Sequence, residues 1–91
     1  MRIRWTPLAA ADKQSISEYL KEHHPQYRQS TMRKLYGRIR ILKDALYVGR
    51  PGRVEGTREL LFPPTPYVAV YRVHGKTSEI WRIYHGAQNR P

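Results

Sequence analysis

Residues 57–73 read Thr57-Arg58-Glu59-Leu60-Leu61-Phe62-Pro63-Pro64-Thr65-Pro66-Tyr67-Val68-Ala69-Val70-Tyr71-Arg72-Val73. Two runs of apolar, β-branched and aromatic residues meet at a proline-stiffened turn, which reads as two strands. A third run, Glu79-Ile80-Trp81-Arg82-Ile83-Tyr84-His85, follows His74-Gly75-Lys76. The links at 63–66 and 74–77 are short enough for antiparallel neighbours. Strands are therefore expected at about 57–62, 67–74 and 78–85. Alternation places Ala69, Tyr71 and Val73 on one face of the middle strand, with Val68, Val70 and Arg72 on the other. In the last strand Trp81 and Ile83 oppose Ile80, Arg82 and Tyr84. Each strand carries an arginine among apolar residues, and a core strand has no need of one.

Upstream, Arg2-Ile3-Arg4-Trp5 alternates polar and apolar and reads as a short first strand. Thr6-Pro7 has the form of a helix start, with Thr6 as N-cap and Pro7 in the first turn. Leu8, Ala9, Ala11, Ile16, Tyr19 and Leu20 follow at helical spacing, and Pro25 ends this helix near His23-His24. A second helix is expected from about residue 25 to Leu46. Its seam is Met32, Leu35, Ile39, Leu42 and Leu46, in steps of three and four. Gly37 within it costs about 1 kcal/mol against alanine, and marks close packing against the first helix. Residues 47–56 form a loop rich in glycine, proline and arginine. The pattern predicts an α+β fold of order β-α-α-β-β-β. Its N-terminal helix hairpin packs on one face of a mainly antiparallel four-stranded sheet, with the arginine-bearing faces pointing away from the helices.

Ninety-one residues bound the chain to one domain spanning 1–91. Lysine and arginine number 17 against 7 acidic residues, a net charge of +10, so a polyanionic or strongly acidic partner is expected. The absence of cysteine excludes disulfides and thiol chemistry, and fits a cytoplasmic location. No run approaches the ~20 apolar residues of a membrane span, and the N-terminus is too short and too charged for a secretory signal. His23-His24 reads as a helix end rather than a metal site, since adjacent helical histidines diverge. Trp5, Trp81, Tyr19, Tyr36 and Tyr71 read as core.

Three stretches carry a family resemblance: Gly-Arg-Pro-Gly-Arg-Val-Glu-Gly-Thr-Arg-Glu-Leu at 49–60, Tyr-Val-Ala-Val-Tyr-Arg-Val at 67–73, and Arg-Ile-Tyr-His-Gly-Ala-Gln at 82–88. With the strand, helix-hairpin and meander order, they resemble the RelE/ParE toxins of bacterial type II toxin–antitoxin operons over nearly the whole chain. The resemblance implies a growth-arresting toxin neutralised by a cognate acidic antitoxin, with operator DNA contacted only through that antitoxin. No cofactor, metal or membrane partner is expected. RelE-like members enter the ribosome and cut mRNA, whereas ParE-like members poison DNA gyrase.

Cutting RNA through its own 2′-hydroxyl needs a base, an acid, and cations around the phosphorane. The candidate catalytic set is Arg58, Arg72 and Arg82 as phosphate holders, with Tyr84 and His85 as acid–base groups and Glu55 or Glu59 as base. Arg50, Arg53, Arg38 and Lys43 are candidate nucleic-acid contacts. The structural alternatives are an Arg58 pair with Glu55 or Glu59, solvated Arg72 and Arg82, and a His85 donating to backbone. The first expectation is a ribosome-dependent mRNA endonuclease; the alternative is a gyrase inhibitor without nuclease activity. A DNA-binding accessory factor ranks last, for want of a recognition helix. Departures from the nuclease branch are Tyr67-Val68 in place of an arginine, Phe62-Pro63-Pro64 in place of basic residues, and Gln88 in place of a C-terminal arginine.

Overall fold

A computed structural model describes residues 2–86. The elements are β1 (Arg2–Trp5), α1 (Pro7–His23), α2 (Pro25–Ile39), a 3₁₀ turn (Arg40–Lys43), β2 (Arg50–Pro51), β3 (Arg58–Leu61), β4 (Tyr67–His74) and β5 (Thr77–His85). The sheet order is β1-β5-β4-β3-β2, with β1 parallel to β5 and every other pair antiparallel.

The class is the expected α+β, but the sheet has five strands, not four. Arg50 and Pro51 pair with Glu59 and Arg58, so the loop contributes a two-residue edge strand. Proline is tolerated there because an edge needs no inward N–H donor. The second helix also stops earlier than expected. It ends at Ile39 and tightens into the 3₁₀ turn, while Leu42 and Leu46 stay buried. Steps of three and four suit either helix type, so the seam alone does not locate the change.

Thr6 caps α1 as expected. Its hydroxyl accepts from the Ala9 N–H at 3.1 Å and donates to the Trp81 carbonyl at 2.9 Å, while its N–H donates to the Ile80 carbonyl. This fixes α1 at the point where β1 leaves the edge of β5. The core lies between the helices and one face of the sheet. Ala9, Ile16, Leu20, Leu35 and Ile39 meet Leu60, Tyr67, Ala69, Tyr71, Ile80 and Ile83. Tyr71 is fully enclosed; its hydroxyl donates to the Leu46 carbonyl at 2.8 Å and accepts from the Gly49 N–H at 2.9 Å. Gly49 has no room for a side chain, since a Cβ would lie 2.7 Å from that hydroxyl.

Three side-chain expectations are corrected. A bulge between Val70 and Tyr71 pairs them with Arg82 and Ile80, leaving Trp81 as the extra residue. Ile80 therefore joins Ile83 on the helical face, and Trp81 lies over Arg72 on the outer face. Tyr19 and Tyr36 are not core: they are 52% and 45% exposed. Gly37 does not mark close packing, because a Cβ there would meet nothing within 4 Å.

Candidate functional site

Pairing of Val70 with Arg82, Arg72 with Glu79 and Val68 with Tyr84 puts Arg72, Arg82 and Tyr84 on the outer face, away from the core. The two arginines are nevertheless occupied. Asp12 of α1 reaches over the open edge of β5, where β1 has ended. Its carboxylate accepts from Arg82 Nε at 2.7 Å, Arg82 Nη2 at 3.0 Å and the Ile83 N–H at 2.9 Å. These bonds hold the Arg82 guanidinium above its ordinary pKa, against the opposing effect of burial. Arg82 also lies 5.0 Å from the centre of the buried Tyr84 ring. Arg72 donates from Nη2 to the Glu55 carbonyl at 3.1 Å and stacks over Trp81 at 4.6 Å. Its Nε is enclosed and has no hydrogen-bond partner among the described residues.

Arg58 is not brought to this face. It pairs with Tyr71 in register and shares the helical side, where it donates to the Tyr47 and Gly49 carbonyls at 3.1 and 2.7 Å. The expected pair with Glu55 or Glu59 is not its partner. Glu59, only 4% exposed, instead accepts from Arg50 Nε and Nη2 at 3.1 and 3.0 Å. His85 is likewise on the helical side, paired with Tyr67, and the two rings meet edge to face at 5.8 Å. Tyr84 and His85 are sequence neighbours that point to opposite sides of the sheet.

The candidate nucleic-acid contacts also divide. Arg50 is committed to Glu59, and Arg53 is exposed on the turn before β3. Arg38 crosses from α2 to donate to the Leu61 carbonyl at 2.7 Å, and Lys43 is exposed in the 3₁₀ turn. Gln88, the third departure, lies outside the described residues. Among the described residues no cluster of three His, Asp or Glu side chains could hold a metal, and no helix is long and apolar enough to cross a membrane.

Two features escaped the sequence reading. Asp12 is one; its only signal is a lone acid in the second turn of a helix that starts beside a strand edge. The other is a groove of about 830 Å³ between the helix hairpin and the 64–67 turn. Ile16, Leu20 and Ile83 contribute apolar surface, and Tyr19, Tyr27 and Tyr67 aromatic surface. Lys34, His24 and His85 also line it. Burial raises the Tyr67 pKa, with a further rise from Tyr19.

Residues 3–90 match the family described as ParE toxin of type II toxin-antitoxin system, parDE. Protein Y4kP of Sinorhizobium fredii (strain NBRC 101917 / NGR234), whose name marks it as a candidate toxin, is 31% identical over 90 residues, covering 99% of this chain and 93% of Y4kP. Among solved structures, the chromosomal ParDE system of P. aeruginosa superposes with a TM-score of 0.81 at 31% identity, covering 93% of this chain and 95% of that one. The toxin–antitoxin complex RelBE2 of Mycobacterium tuberculosis gives 0.58 at 26% identity, over 92% of this chain and 95% of that one. A mutant of YafQ from E. coli gives 0.59 at 18% identity, over 93% and 92%, a likeness of fold alone.

Proposed function

The chain belongs to the ParE toxin family of type II toxin–antitoxin systems, and we propose that it arrests growth by gripping DNA gyrase, without cutting RNA. The observation that carries this reading is the divergence of Tyr84 and His85. In-line cleavage of RNA needs an acid and a base flanking one phosphate, both within hydrogen-bond reach. Groups on opposite sides of a sheet cannot flank one phosphate, and Glu59, the candidate base that shares the outer face with Tyr84, is enclosed and held by Arg50. The cation nearest Tyr84 is already neutralised by Asp12. Tyr67-Val68 and Phe62-Pro63-Pro64, where the nuclease branch carries basic residues, agree with a toxin that binds rather than cuts.

In this reading the toxin stabilises gyrase on cleaved DNA. Purified toxin added to gyrase and supercoiled plasmid yields linear, enzyme-linked DNA, and toxin added to translating ribosomes leaves mRNA whole. Codon-positioned mRNA cuts with undisturbed gyrase would refute it.

Its neutralising partner is an acidic antitoxin encoded beside it. The groove between the hairpin and the 64–67 turn suits a segment with apolar and acidic residues, since its apolar walls are accompanied by Lys34, His24 and His85. Co-expression of the adjacent small gene restores growth; continued arrest would remove that gene as the partner.

A further inference from the structure

From residue 25 to residue 43 the chain carries Arg28, Arg33, Lys34, Arg38, Arg40 and Lys43, and no aspartate or glutamate. Two of these cations are used within the fold: Arg28 donates to Ser17 and Arg38 to the Leu61 carbonyl. Arg33, Lys34, Arg40 and Lys43 are exposed and bind no acceptor among the described residues. The nearby acids are Glu18 and Glu22 on α1, where Gln14 and His23 approach them, and the exposed Asp44 that closes the 3₁₀ turn beyond Lys43.

Helical spacing places Arg33, Gly37 and Arg40 on one strip, opposite the buried Leu35 and Ile39. Gly37 is at the centre of that strip, exposed, with nothing within 4 Å of the position its Cβ would take. No packing inside the fold calls for glycine there, and alanine is the better helix former. A missing side chain between two arginines lets an outside surface approach the helix backbone closely.

We propose that this strip of α2 and the first residue of its 3₁₀ turn, centred on Gly37, docks the phosphate backbone of duplex DNA. Arg33 and Arg40 are two turns apart, about 10.5 Å along the axis. Over that span a duplex presents about six charges. The strip's other exposed residues, Gln26, Gln29 and Ser30, are of the kind that bond phosphate oxygens. The one exposed aromatic beside it, Tyr36, lies on its flank under the Lys13 ammonium, and no aromatic anchor stands on the strip itself, which makes an acidic protein the poorer fit. The contact reads no sequence, because it engages backbone alone.

The test is fluorescence anisotropy of a labelled mixed-sequence duplex with the full chain, at salt from about 50 to 200 mM. Wild type binds, and more weakly as salt rises. Arg33→Gln with Arg40→Gln makes the slope of log affinity against log salt shallower by about 1.8, near 0.9 per lost contact. Gly37→Leu fills the gap with a side chain that bonds no phosphate; it raises the melting temperature and weakens binding about fivefold or more. Lys76→Gln, on the exposed β4–β5 turn, retains affinity close to wild type. The proposal is overturned by no binding at low salt, by an unchanged slope in the double variant, or by wild-type affinity in Gly37→Leu. A loss in Lys76→Gln equal to that of the double variant, or capture of polyglutamate but not duplex, would overturn it too. The assay contains no topoisomerase, so its outcome is separate from that of the gyrase reading.

Discussion

The cations of the sheet and the outer cations of α2 and its 3₁₀ turn keep different company. Arg82 is clamped by Asp12, Arg50 by Glu59, Arg72 by the Glu55 carbonyl, and Arg58 by the Tyr47 and Gly49 carbonyls. Arg28 and Arg38 of α2 are held by Ser17 and the Leu61 carbonyl, but Arg33, Lys34, Arg40 and Lys43 bind no acceptor among the described residues. An arginine among the apolar residues of a strand draws the eye in the sequence, yet here such arginines hold the fold together. The plainer helical cations are the ones left facing outward. A charge excess therefore locates a partner only after each cation's own acceptors have been found.

Asp12→Ala strikes this contrast hardest. It leaves the Ile83 N–H and the Arg82 guanidinium without their acceptor at a half-buried edge, and destabilises by about 3 kcal/mol in urea unfolding. A loss below about 0.5 kcal/mol would mean that Arg82 is not held and belongs with the outward cations.

Tyr71→Phe comes next. The Leu46 carbonyl and Gly49 N–H lose their enclosed partner, and with them the loop that offers carbonyls to Arg58, at a cost of about 1–3 kcal/mol. Burial raises the Tyr71 pKa, only partly opposed by the Gly49 N–H and the Arg58 charge, and burial raises Tyr67 as well. The stabilisation linked to these raised values is fully present below the ordinary tyrosine pKa of about 10. Above it the unfolded chain gives up protons first, so stability falls as pH rises towards the folded values. Melting curves from pH 8 to 11 show that decline, and Tyr71→Phe shows less of it.

Much of this architecture was legible in advance. Prolines at 63–66 and the 74–77 link fixed the meander, and Thr6-Pro7 fixed the start of α1 at its cap. Alternation also put Arg72, Arg82 and Tyr84 on one face. It failed at Ile80 and Trp81, because a bulge adds a residue without leaving a glycine or proline to announce it. Residue type groups Arg58 with the other strand arginines, although its register partner Tyr71 reads as core. The Asp12–Arg82 pair spans 70 residues, and nothing local in either segment names the other. Tyr19 and Tyr36 lie close enough to the apolar stripes to read as core, yet they fall on the flank that stays in solvent.

On the helical side of the contrast the effects are smaller. Gly37→Ala stabilises by about 1 kcal/mol, since the site is an exposed helix interior with open space around it. A destabilised variant would reveal a packing role for Gly37 within the fold. Smallest of all, Arg33→Gln with Arg40→Gln leaves unfolding within about 0.5 kcal/mol of wild type. A larger loss would show that these cations, too, serve the fold.

Whether this toxin grips gyrase or cuts mRNA is decided by inducing it without its antitoxin, then reading DNA and mRNA from the same cells before growth stops. DNA broken and covalently held on gyrase, with mRNA ends like those of uninduced cells, is the expected result. New mRNA ends at fixed codon positions, with DNA intact, would contradict it.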